Sequence, residues 1–436
     1  MIYKSYESYK DSGVEWIGEI PEHWELRKLK YLVNERLMYG ANESAELDDP
    51  SLPRYIRITD FGEDGKLRDD TFKSLHHDVA QKYLLDEGDI LFARSGATVG
   101  KTFQFKDYMN DACFAGYLIK ASPNNRYIFS DYLYYYTKSS AYDQWKNSIF
   151  IQATIQNIGA DKYQQLPITL PHNTEQRSIA IFLDRETSRI DSLIEKKERL
   201  IGLLREKRQA LITSAVTKGL PSTGSGQANN KVKMKDSGVE WIGEIPEHWE
   251  VKKIKNTAFL KSGSSITSES INEYDDYPVY GGNGLRGYTS SFNYDGSYVL
   301  IGRQGALCGN INYANGKFWA SEHAVVVNPL TEIDTYWFGE TLYAMNLNKY
   351  SISAAQPGLS VDQIKNLKIP FPPISDKKRI SKFLKQNSKR TDNLITKIFS
   401  QISKLRELRQ TLISNAVTGK IDVRDSTGSA IEEAKA

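Results

Sequence analysis

The sequence predicts an α+β protein with two mixed α/β domains in a pseudo-twofold repeat, separated by two long helices that pair as an antiparallel coiled coil. Three observations predict this fold. The segment DSGVEWIGEIPEHWE occurs unchanged at 11–25 and again at 236–250. Each copy is followed by a region of mixed α/β character, 26–174 or 251–375, and then by a long segment with helical periodicity. A chain of 436 residues is also too long for one ordinary core.

The repeated segment is polar and aromatic, and a glycine and a proline interrupt it. It lacks the apolar stripe that is typical of an amphipathic helix, and its apolar and polar residues alternate too poorly for a strand. We therefore predict an extended docking segment in each copy. Its tryptophans need a surface on which to pack, and we predict Trp16, Trp24, Trp241 and Trp249 as partner-binding residues.

The regions after the repeated segment contain short apolar runs bounded by glycine, proline or polar clusters, which are typical of strands. The predicted strands are YIRITDF from Tyr55, GDILFARSG from Gly88, AGYLIKAS from Ala115, SYVLIGRQG from Ser297 and HAVVVNP from His323. One tyrosine-rich amphipathic helix follows in each region, SDYLYYYTKSSAYDQW from Ser130 and DTYWFGETLYAMNL from Asp334. The two regions have the same order of predicted elements but different residues. This indicates two modules that share one scaffold and recognise different targets.

Two long helices are predicted over 176–217 and 377–418, each 42 residues long. Apolar residues recur in them at heptad-like steps. These residues are Leu193, Leu200, Leu204, Leu211 and Ala215 in the first helix and Leu394, Ile398, Leu405, Leu412 and Ala416 in the second. Because neither helix can bury such a stripe alone, we expect the two helices to pair. A pair of ordinary core helices is the alternative, and the length of the segments argues against it.

The ends of both helices carry recognisable signals. Ser375 is predicted as an N-cap, and Gly219 and Gly419 lie where C-terminal stops belong. Arg208 and Arg409 are equivalent at an offset of 201 residues, and we predict both as partner-binding.

The expected organisation follows from these elements. It comprises a first mixed α/β domain at 1–174, a long helix at 175–220, a flexible Gly/Ser/Asn-rich linker at 221–235, a second mixed α/β domain at 236–375, a second long helix at 376–424 and a disordered tail at 425–436.

Composition excludes several classes of protein. A net charge of +3 excludes a histone-like binder held by bulk charge, although a local basic face remains compatible with it. No run of 18 apolar residues and no secretory h-region occur in the sequence. Two cysteines cannot form a disulfide framework or a four-ligand zinc site. We expect a reducing, cytoplasmic setting.

The segment SGATVGKT, Ser95–Thr102, resembles a phosphate-binding loop but has three residues between its glycines where that motif needs four. The equivalent RQGALCG from Arg303 is followed by Asn310 instead of lysine. A triphosphate site is therefore not expected. The loop is either a strand–turn–strand corner that needs glycine at positive φ or a tight loop that presents Arg94 and Arg303 outward, and the two interpretations are compatible. The sequence also lacks a dinucleotide fingerprint, a base-methylation motif and a metal-ligand spacing, so we predict a non-catalytic protein and no metal or cofactor in this chain.

The twin SGVEWIGEIPEHWE segments, the twin LPITLP and LKIPFP approaches, and the twin helix ends LITSAVTKG and LISNAVTGK resemble the DNA-specificity subunit of Type I restriction-modification systems over essentially the whole chain. The resemblance implies two target-recognition domains that each bind one half of a split sequence in double-stranded DNA, with the helices as a spacer. It further implies two methyltransferase subunits and restriction/translocase subunits as partners. S-adenosylmethionine, ATP and Mg are then expected on those partners.

Under this interpretation, polar residues on predicted loops are candidate contacts to phosphates and base edges. The candidates are Arg57, Arg94, Ser95, Thr98, Lys101, Tyr280, Asn283, Arg286, Arg303 and Gln304. A solvated loop residue is the alternative for each. A stand-alone DNA-binding or protein-interaction scaffold, not tied to a modification enzyme, is the rival function, and a neighbouring methyltransferase gene or a co-purifying methyltransferase would separate the two. An ATPase is a third interpretation, which the departure from the phosphate-binding motif weakens.

Overall fold

The computed structural model describes residues 3–62, 65–96, 98–150, 157–220, 232–305, 308–351 and 358–427. The chain forms two compact units. Unit 1 comprises Met1–Lys196 with Ser400–Ala436, and unit 2 comprises Lys197–Phe399. Each unit therefore contains the beginning of one long helix and the end of the other.

The described residues of unit 1 form ten short strands, most of them antiparallel. They are β1 (Tyr9–Asp11), β2 (Glu19–Pro21), β3 (Glu25–Lys28), β4 (Met38–Tyr39), β5 (Arg54–Ile56), β6 (Ile90–Ala93), β7 (Thr102–Gln104), β8 (Ala112–Phe114), β9 (Leu118–Ala121) and β10 (Pro167–Leu170). A four-stranded sheet has the order β4-β9-β6-β7, and β5 pairs in parallel with β8. All four residues of β6 are buried, as expected for a continuous apolar run. The strands predicted from Gly88 and Ala115 are confirmed, whereas the one from Tyr55 ends at Ile56 and a 3₁₀ turn follows.

The helices that begin in unit 1 are α1 (His77–Ala80), α2 (Ser130–Tyr136), α3 (Ser140–Phe150), α4 (Ala160–Tyr163) and α5 (Asn173–Lys218). The single helix predicted from Ser130 is therefore two helices. Thr137 and Ser139 donate their hydroxyls to the carbonyls of Tyr134 and Tyr136, three residues earlier, at 2.7 Å each. Such local bonds satisfy the last carbonyls of α2 and favour its termination there.

In the part of unit 2 that the structure describes there are ten strands, six of which form a larger mixed sheet. They are β11 (Met234–Asp236), β12 (Glu244–Pro246), β13 (Glu250–Lys253), β14 (Ala258–Ser262), β15 (Tyr277–Gly281), β16 (Gly284–Thr289), β17 (Tyr294–Gly302), β18 (Ile311–Ala320), β19 (Ala324–Pro329) and β20 (Lys368–Phe371). The six-stranded sheet has the order β14-β19-β17-β18-β15-β16. The two strands predicted in this region correspond to β17 and β19 and are confirmed.

The remaining helices are α6 (Thr335–Ala344), α7 (Val361–Asn366) and α8 (Ile374–Val417). Asp334 caps α6, since its carboxylate accepts the backbone N–H of Trp337 at 2.9 Å. Trp337, Phe338 and Leu342 are buried in the core that α6 shares with the sheet. The predicted helix after Asp334 is thus confirmed, although it ends at Ala344 and a 3₁₀ turn follows.

The repeated segment adopts the same structure in both units. β1 pairs with β2 through Tyr9↔Pro21, and β11 pairs with β12 through Met234↔Pro246, the same register at an offset of 225 residues. The segment is therefore not simply extended, because it supplies one strand of a small hairpin and the start of a second pair, β3–β10 or β13–β20. Part of the predicted linker forms β11, and 221–231 lie outside the described residues, as do 428–436 of the predicted tail.

The long helices have 46 residues in α5 and 44 in α8, slightly more than predicted. Gly219 and Gly419 have φ of +79° and +73°, so both stops are confirmed. Ser375 lies inside the first turn of α8 instead of at its N-cap, because the helix begins at Ile374 directly after two prolines. No helix in the described part of the chain is long and apolar enough to cross a membrane.

The two helices run antiparallel within each unit. Asp191 on α5 binds Arg409 on α8 at 2.9 Å in unit 1, and Arg208 on α5 binds Asp392 on α8 at 2.7 Å in unit 2. The predicted seam is partly wrong, because Leu193, Leu200 and Leu394 are exposed. The predicted positions Ala215, Ile398, Leu412 and Ala416 are buried, as expected. Other buried isoleucines of the two helices are Ile190, Ile194, Ile201, Ile212, Ile402 and Ile413. On α5 the buried isoleucines Ile194 and Ile201 directly follow the exposed Leu193 and Leu200, so the predicted seam of that helix is displaced by one residue.

Candidate nucleic-acid interface

In unit 1 a tight corner joins β6 to β7, and we call it the Arg94 corner (94–101). Gly96 and Gly100 have φ of +82° and +81°, which only glycine adopts readily. The N–H of Gly100 donates to the carbonyl of Ala93 at 2.8 Å and closes the turn. The strand–turn–strand interpretation is therefore confirmed, and the loop has no phosphate-binding helix behind it.

Unit 2 repeats this corner between β17 and β18, and we call it the Arg303 corner (303–310). Gly305 and Gly309 have φ of +86° and +88°. The N–H of Gly309 donates to the carbonyl of Gly302 at 2.7 Å, the counterpart of the bond in unit 1. The glycine conformations and the closing hydrogen bond are thus the same in both corners, although most of the intervening letters differ.

Both arginines are fixed by matched backbone hydrogen bonds. The N–H of Arg94 donates to the carbonyl of Tyr117 at 3.0 Å, and that of Arg303 donates to the carbonyl of His323 at 2.9 Å. Their own carbonyls accept the N–H groups of Ile158 and Leu359, each at 2.9 Å. Each arginine therefore lies between two other loops of its own unit, which holds its backbone in one place.

The side chains of Arg94 and Arg303 are half-buried, not fully outward as the loop interpretation expected. The guanidinium of Arg94 lies 4.9 Å from the ring centre of Tyr39, a cation–π contact. Nη1 of Arg303 instead approaches the hydroxyl of Ser262 at 3.4 Å. The two corners thus share a backbone and differ in the side chains that orient the arginine.

The remaining candidates of unit 1 divide into two groups. The side chain of Arg57 is held by contacts within unit 1, because it pairs with Asp60 at 3.2 Å and donates to the carbonyl of Thr71 at 2.6 Å. It nevertheless lines an open cleft of about 280 Å³ together with Tyr117. Ser95, Thr98 and Lys101 belong to the Arg94 corner itself, where Thr98 is exposed and Lys101 donates to the carbonyl of Phe61 at 3.2 Å.

In unit 2 the β15–β16 hairpin approaches the Arg303 corner closely. A Cβ on Gly282 would lie 3.3 Å from the carbonyl of Gln304 and 3.4 Å from that of His323, so glycine permits the approach. Asn310 of the corner donates to the side chain of Asn283 at 3.2 Å. Tyr280 packs edge-on against Phe318, and Arg286 and Gln304 are exposed. The candidates of unit 2 are therefore brought together by the fold.

Sequence reasoning missed the residues that surround the corners. These are Tyr39 and Tyr117 in unit 1 and Ser262, Glu322 and His323 in unit 2. Glu322 accepts from His323 at 3.1 Å, and Tyr117 is 63% exposed. Their place in the sequence could have identified two of them. Tyr117 directly precedes β9, which pairs with β6, and His323 directly precedes β19, which pairs with β17; β6 and β17 are the strands that lead into the two corners.

The predicted partner-binding residues have other contacts. Trp24 and Trp249 are fully buried, and their indoles donate to Glu175 at 3.2 Å and to Asp376 at 3.1 Å. This burial leaves no surface for a separate protein, so for these two the prediction is corrected. They join the repeated segment to the first turn of a long helix.

Trp16 and Trp241 are only half-buried and keep part of their surface open. The Nε1 of Trp241 donates to the carbonyl of Lys368 at 3.1 Å. Arg208 pairs with Asp392 and Arg409 pairs with Asp191, each on the other long helix, so both arginine charges are compensated within the chain.

The side chains at the two corners are of types that proteins use to contact DNA. Arginine, asparagine, glutamine, tyrosine and histidine side chains at the corners match the donors and acceptors that contact base edges and phosphates. No group of three or more His, Cys, Asp or Glu side chains in the described ranges is placed to hold a metal ion.

Comparison with known proteins is consistent across sequence and fold. A family model described as Type I restriction modification DNA specificity domain matches residues 21–201 and 246–404. The type I restriction enzyme EcoprrI specificity subunit of Escherichia coli is 45% identical over 119 residues, which is 26% of this chain and 30% of that protein. The MjaX specificity subunit of Methanocaldococcus jannaschii is 27% identical over 94% of this chain and 96% of its own length. A solved chain from a type I R-M system has the same fold, with a TM-score of 0.72 at 15% identity, over 91% of this chain and 98% of its own.

Proposed function

This chain belongs to the family of Type I restriction modification DNA specificity domains, and from that premise we propose that it is the subunit that reads DNA for a Type I restriction-modification complex. It binds a bipartite site in double-stranded DNA, one half-site per unit. It also scaffolds two methyltransferase subunits and the restriction/translocase subunits in the cytoplasm. The chain itself is non-catalytic, and its partner subunits bind S-adenosylmethionine, ATP and Mg.

One observation carries this proposal: the same corner occurs in both units, but different side chains surround its arginine. Arg94 and Arg303 are held by the same pair of backbone hydrogen bonds. Tyr39 and Tyr117 flank the first, whereas Ser262 and His323 flank the second. One backbone frame with two sets of side chains suits a protein that recognises two different short sequences in the same way.

The paired helices support a fixed spacing between the half-sites. Ion pairs between α5 and α8 occur in both units, and the seam is built from branched aliphatic residues. A rigid connection between two readers enforces one separation along the duplex, as half-site spacing does for dimeric readers.

The experiment is co-expression of the chain with its cognate methyltransferase subunit, followed by sequencing of methylated adenines in the host genome. We expect one bipartite motif with a constant gap. Purified chain without its partner should bind the same motif and show no methyl transfer, ATP hydrolysis or DNA cleavage. A contiguous motif, or sequence-specific binding with no effect on methylation, would favour the stand-alone DNA binder.

A further inference from the structure

The first part of α8 carries a dense run of cations that its repeat lacks. Residues 374–399 contain eight lysines and arginines against two aspartates, a net charge of +6. The equivalent residues of α5, 173–198, contain five basic and six acidic residues, a net charge of −1. Both segments form the first part of a long helix that begins directly after a short strand. Forming that helix therefore does not require the positive charge, and the excess needs another explanation.

Five of these cations lie on one exposed side of α8, whereas Ile380, Leu384 and Ile398 are buried on the packed side. We call the five the α8 basic face; they are Lys382, Lys385, Lys389, Arg390 and Lys397. Steps of three and four residues join Lys382, Lys385 and Lys389, and a step of seven joins Arg390 to Lys397. The five cations therefore form two neighbouring rows on the same half of the helix.

The α8 basic face is not neutralised from within the chain. Lys378 and Arg379, one turn earlier, pair with Glu332 at 3.0 Å and Asp376 at 3.8 Å. Among the residues that the structure describes, no carboxylate oxygen lies within 4.0 Å of a nitrogen of the five face residues. Lys385 packs over the ring of Tyr336 at 5.1 Å, which orients its ammonium without compensating the charge.

The remaining side chains of this face are suited to phosphate. A shallow concave surface here is lined by Gln386, Lys389, Arg390, Asn393, Leu394 and Lys397. Lysine, arginine and side-chain amides are the usual donors to phosphate oxygens of DNA. Lys382 and Lys397 are fifteen residues apart, about 22 Å along a helix. One DNA strand places a phosphate about every 3.4 Å along the axis, so an extended polyanion can engage the whole face.

We infer that the α8 basic face binds the phosphate backbone of duplex DNA without reading bases. The inference rests on the proposed function, because DNA is brought to unit 2 by the Arg303 corner. Its consequence is an asymmetric footprint, in which the side of unit 2 contributes more non-specific, salt-sensitive affinity than the corresponding part of α5 in unit 1. An acidic protein partner is the competing occupant, and the test below separates it.

The test compares two charge-matched variants of the full-length chain, each with and without methyltransferase subunits. The face variant carries Lys382→Gln, Lys389→Gln, Arg390→Gln and Lys397→Gln. The control variant carries four changes on exposed α5 positions, Lys196→Gln, Arg199→Gln, Arg205→Gln and Lys207→Gln. Glutamine has nearly the helix propensity of lysine and arginine, so both variants should fold. Affinities for a duplex with the recognised motif and for a random duplex are measured across a series of salt concentrations.

In the face variant we expect both affinities to fall by a similar factor, with the ratio between the two duplexes kept. The slope of log affinity against log salt should become shallower by about 0.9 for each lost phosphate contact, whereas the control keeps the parent slope. An unchanged slope in the face variant would show a merely solvated face and overturn the inference.

Loss of methyltransferase binding with unchanged DNA affinity would assign the face to an acidic protein and equally overturn it. Failure of the parent chain to prefer any motif would instead count against the proposed function, since the random-duplex slopes still report on the face.

Discussion

At the scale of single residues, the two corners show which part of a binding site the sequence can predict. The spacing of glycines around Arg94 and Arg303 predicted both turns, because positive φ restricts the residue type locally. The stack of Arg94 on Tyr39 could not be predicted, since it depends on the pairing of β4 with β9, strands nearly eighty residues apart. Tyr39 and Tyr117 were missed for the same reason.

We expect Arg94→Ala and Arg303→Ala to impair opposite half-sites. An arginine that reads guanine contributes about 1–3 kcal/mol of discrimination, roughly 5- to 150-fold in relative affinity. Competition binding with duplexes altered in one half-site measures this directly. Arg189→Ala, at an exposed position on α5, is the control. A uniform loss across all sequences would identify phosphate contacts, and unchanged affinity would leave the arginines a purely structural role.

We expect Lys138 to make the stability of unit 1 depend on pH. Burial, together with the positive charges of Lys101 and Arg409, lowers the pKa of Lys138 to about 7. An unfolded lysine has a pKa of about 10.4, so between pH 7 and 10 the unfolded chain binds more protons than the folded chain. The free energy of unfolding should therefore rise with pH in that window, by at most about 1.4 kcal/mol per pH unit.

The variant Lys138→Met should remove this rise and be more stable than the parent at pH 7. Chemical denaturation of both proteins from pH 6 to 10 measures it, with the exposed Lys28→Met as the control. Parallel pH profiles for parent and Lys138→Met would contradict the assignment.

At the scale of elements, the contacts of the repeated segment explain why its fifteen residues are identical in the two copies. Its tryptophan and histidine both bind one carboxylate of the following long helix, Glu175 in unit 1 and Asp376 in unit 2. Its proline and tryptophan lie against the glycine that ends the other long helix, Gly419 or Gly219. The same letters are needed twice because the same joint is built twice. The sequence showed the repetition but not the partner surface, which lies 151 to 398 residues away along the chain in unit 1 and 27 to 128 residues away in unit 2.

The two helix-ending glycines should differ in their tolerance of a side chain. Both have positive φ, so alanine costs about 1 kcal/mol at either position. A Cβ at Gly419 would also collide with the ring of Pro21, whereas at Gly219 it would lie 3.3 Å from the indole of Trp249. Overpacking adds about 1–3 kcal/mol. We therefore expect Gly419→Ala to destabilise unit 1 more than Gly219→Ala destabilises unit 2.

Denaturant unfolding followed by tryptophan fluorescence compares the two variants. Ala210→Gly, at an exposed site within α5, provides a control for helix propensity alone. Equal losses for the two glycine substitutions would mean that Pro21 moves aside without cost.

At the scale of the whole molecule, internal repetition made the fold predictable. Each observation could be checked against its copy, which exposed the departure from the phosphate-binding motif and located both helices. The buried seam was less predictable, because leucine and isoleucine stripes lie side by side on α5 and only packing selects Ile194 and Ile201 over Leu193 and Leu200. Under the proposed function, the bases of each half-site depend on side-chain geometry at the corners, which no local pattern encodes.

The spacing between half-sites should follow the length of the paired helices. Asp191–Arg409 and Arg208–Asp392 fix an antiparallel register, in which Arg205 on α5 lies opposite Ile395 on α8. Four helix-favouring residues inserted in both helices, after Arg205 and after Leu394, should keep both ion pairs and lengthen the pair by about 6 Å. The rise of DNA is about 3.4 Å per base pair, so the unread gap should grow by one or two base pairs while both half-sequences stay the same.

Insertion in α5 alone is the informative control. It displaces Arg208 from Asp392 by about one helical turn, so it should lower stability and give no new discrete gap. Sequencing of methylated adenines in strains carrying each insertion, with the methyltransferase subunit present, distinguishes the outcomes. A longer constant gap only for the double insertion supports a rigid spacer. A gap that becomes variable points to a flexible tether, and a gap that does not change would mean that the helices hold the units together without setting the distance between the sequences they read.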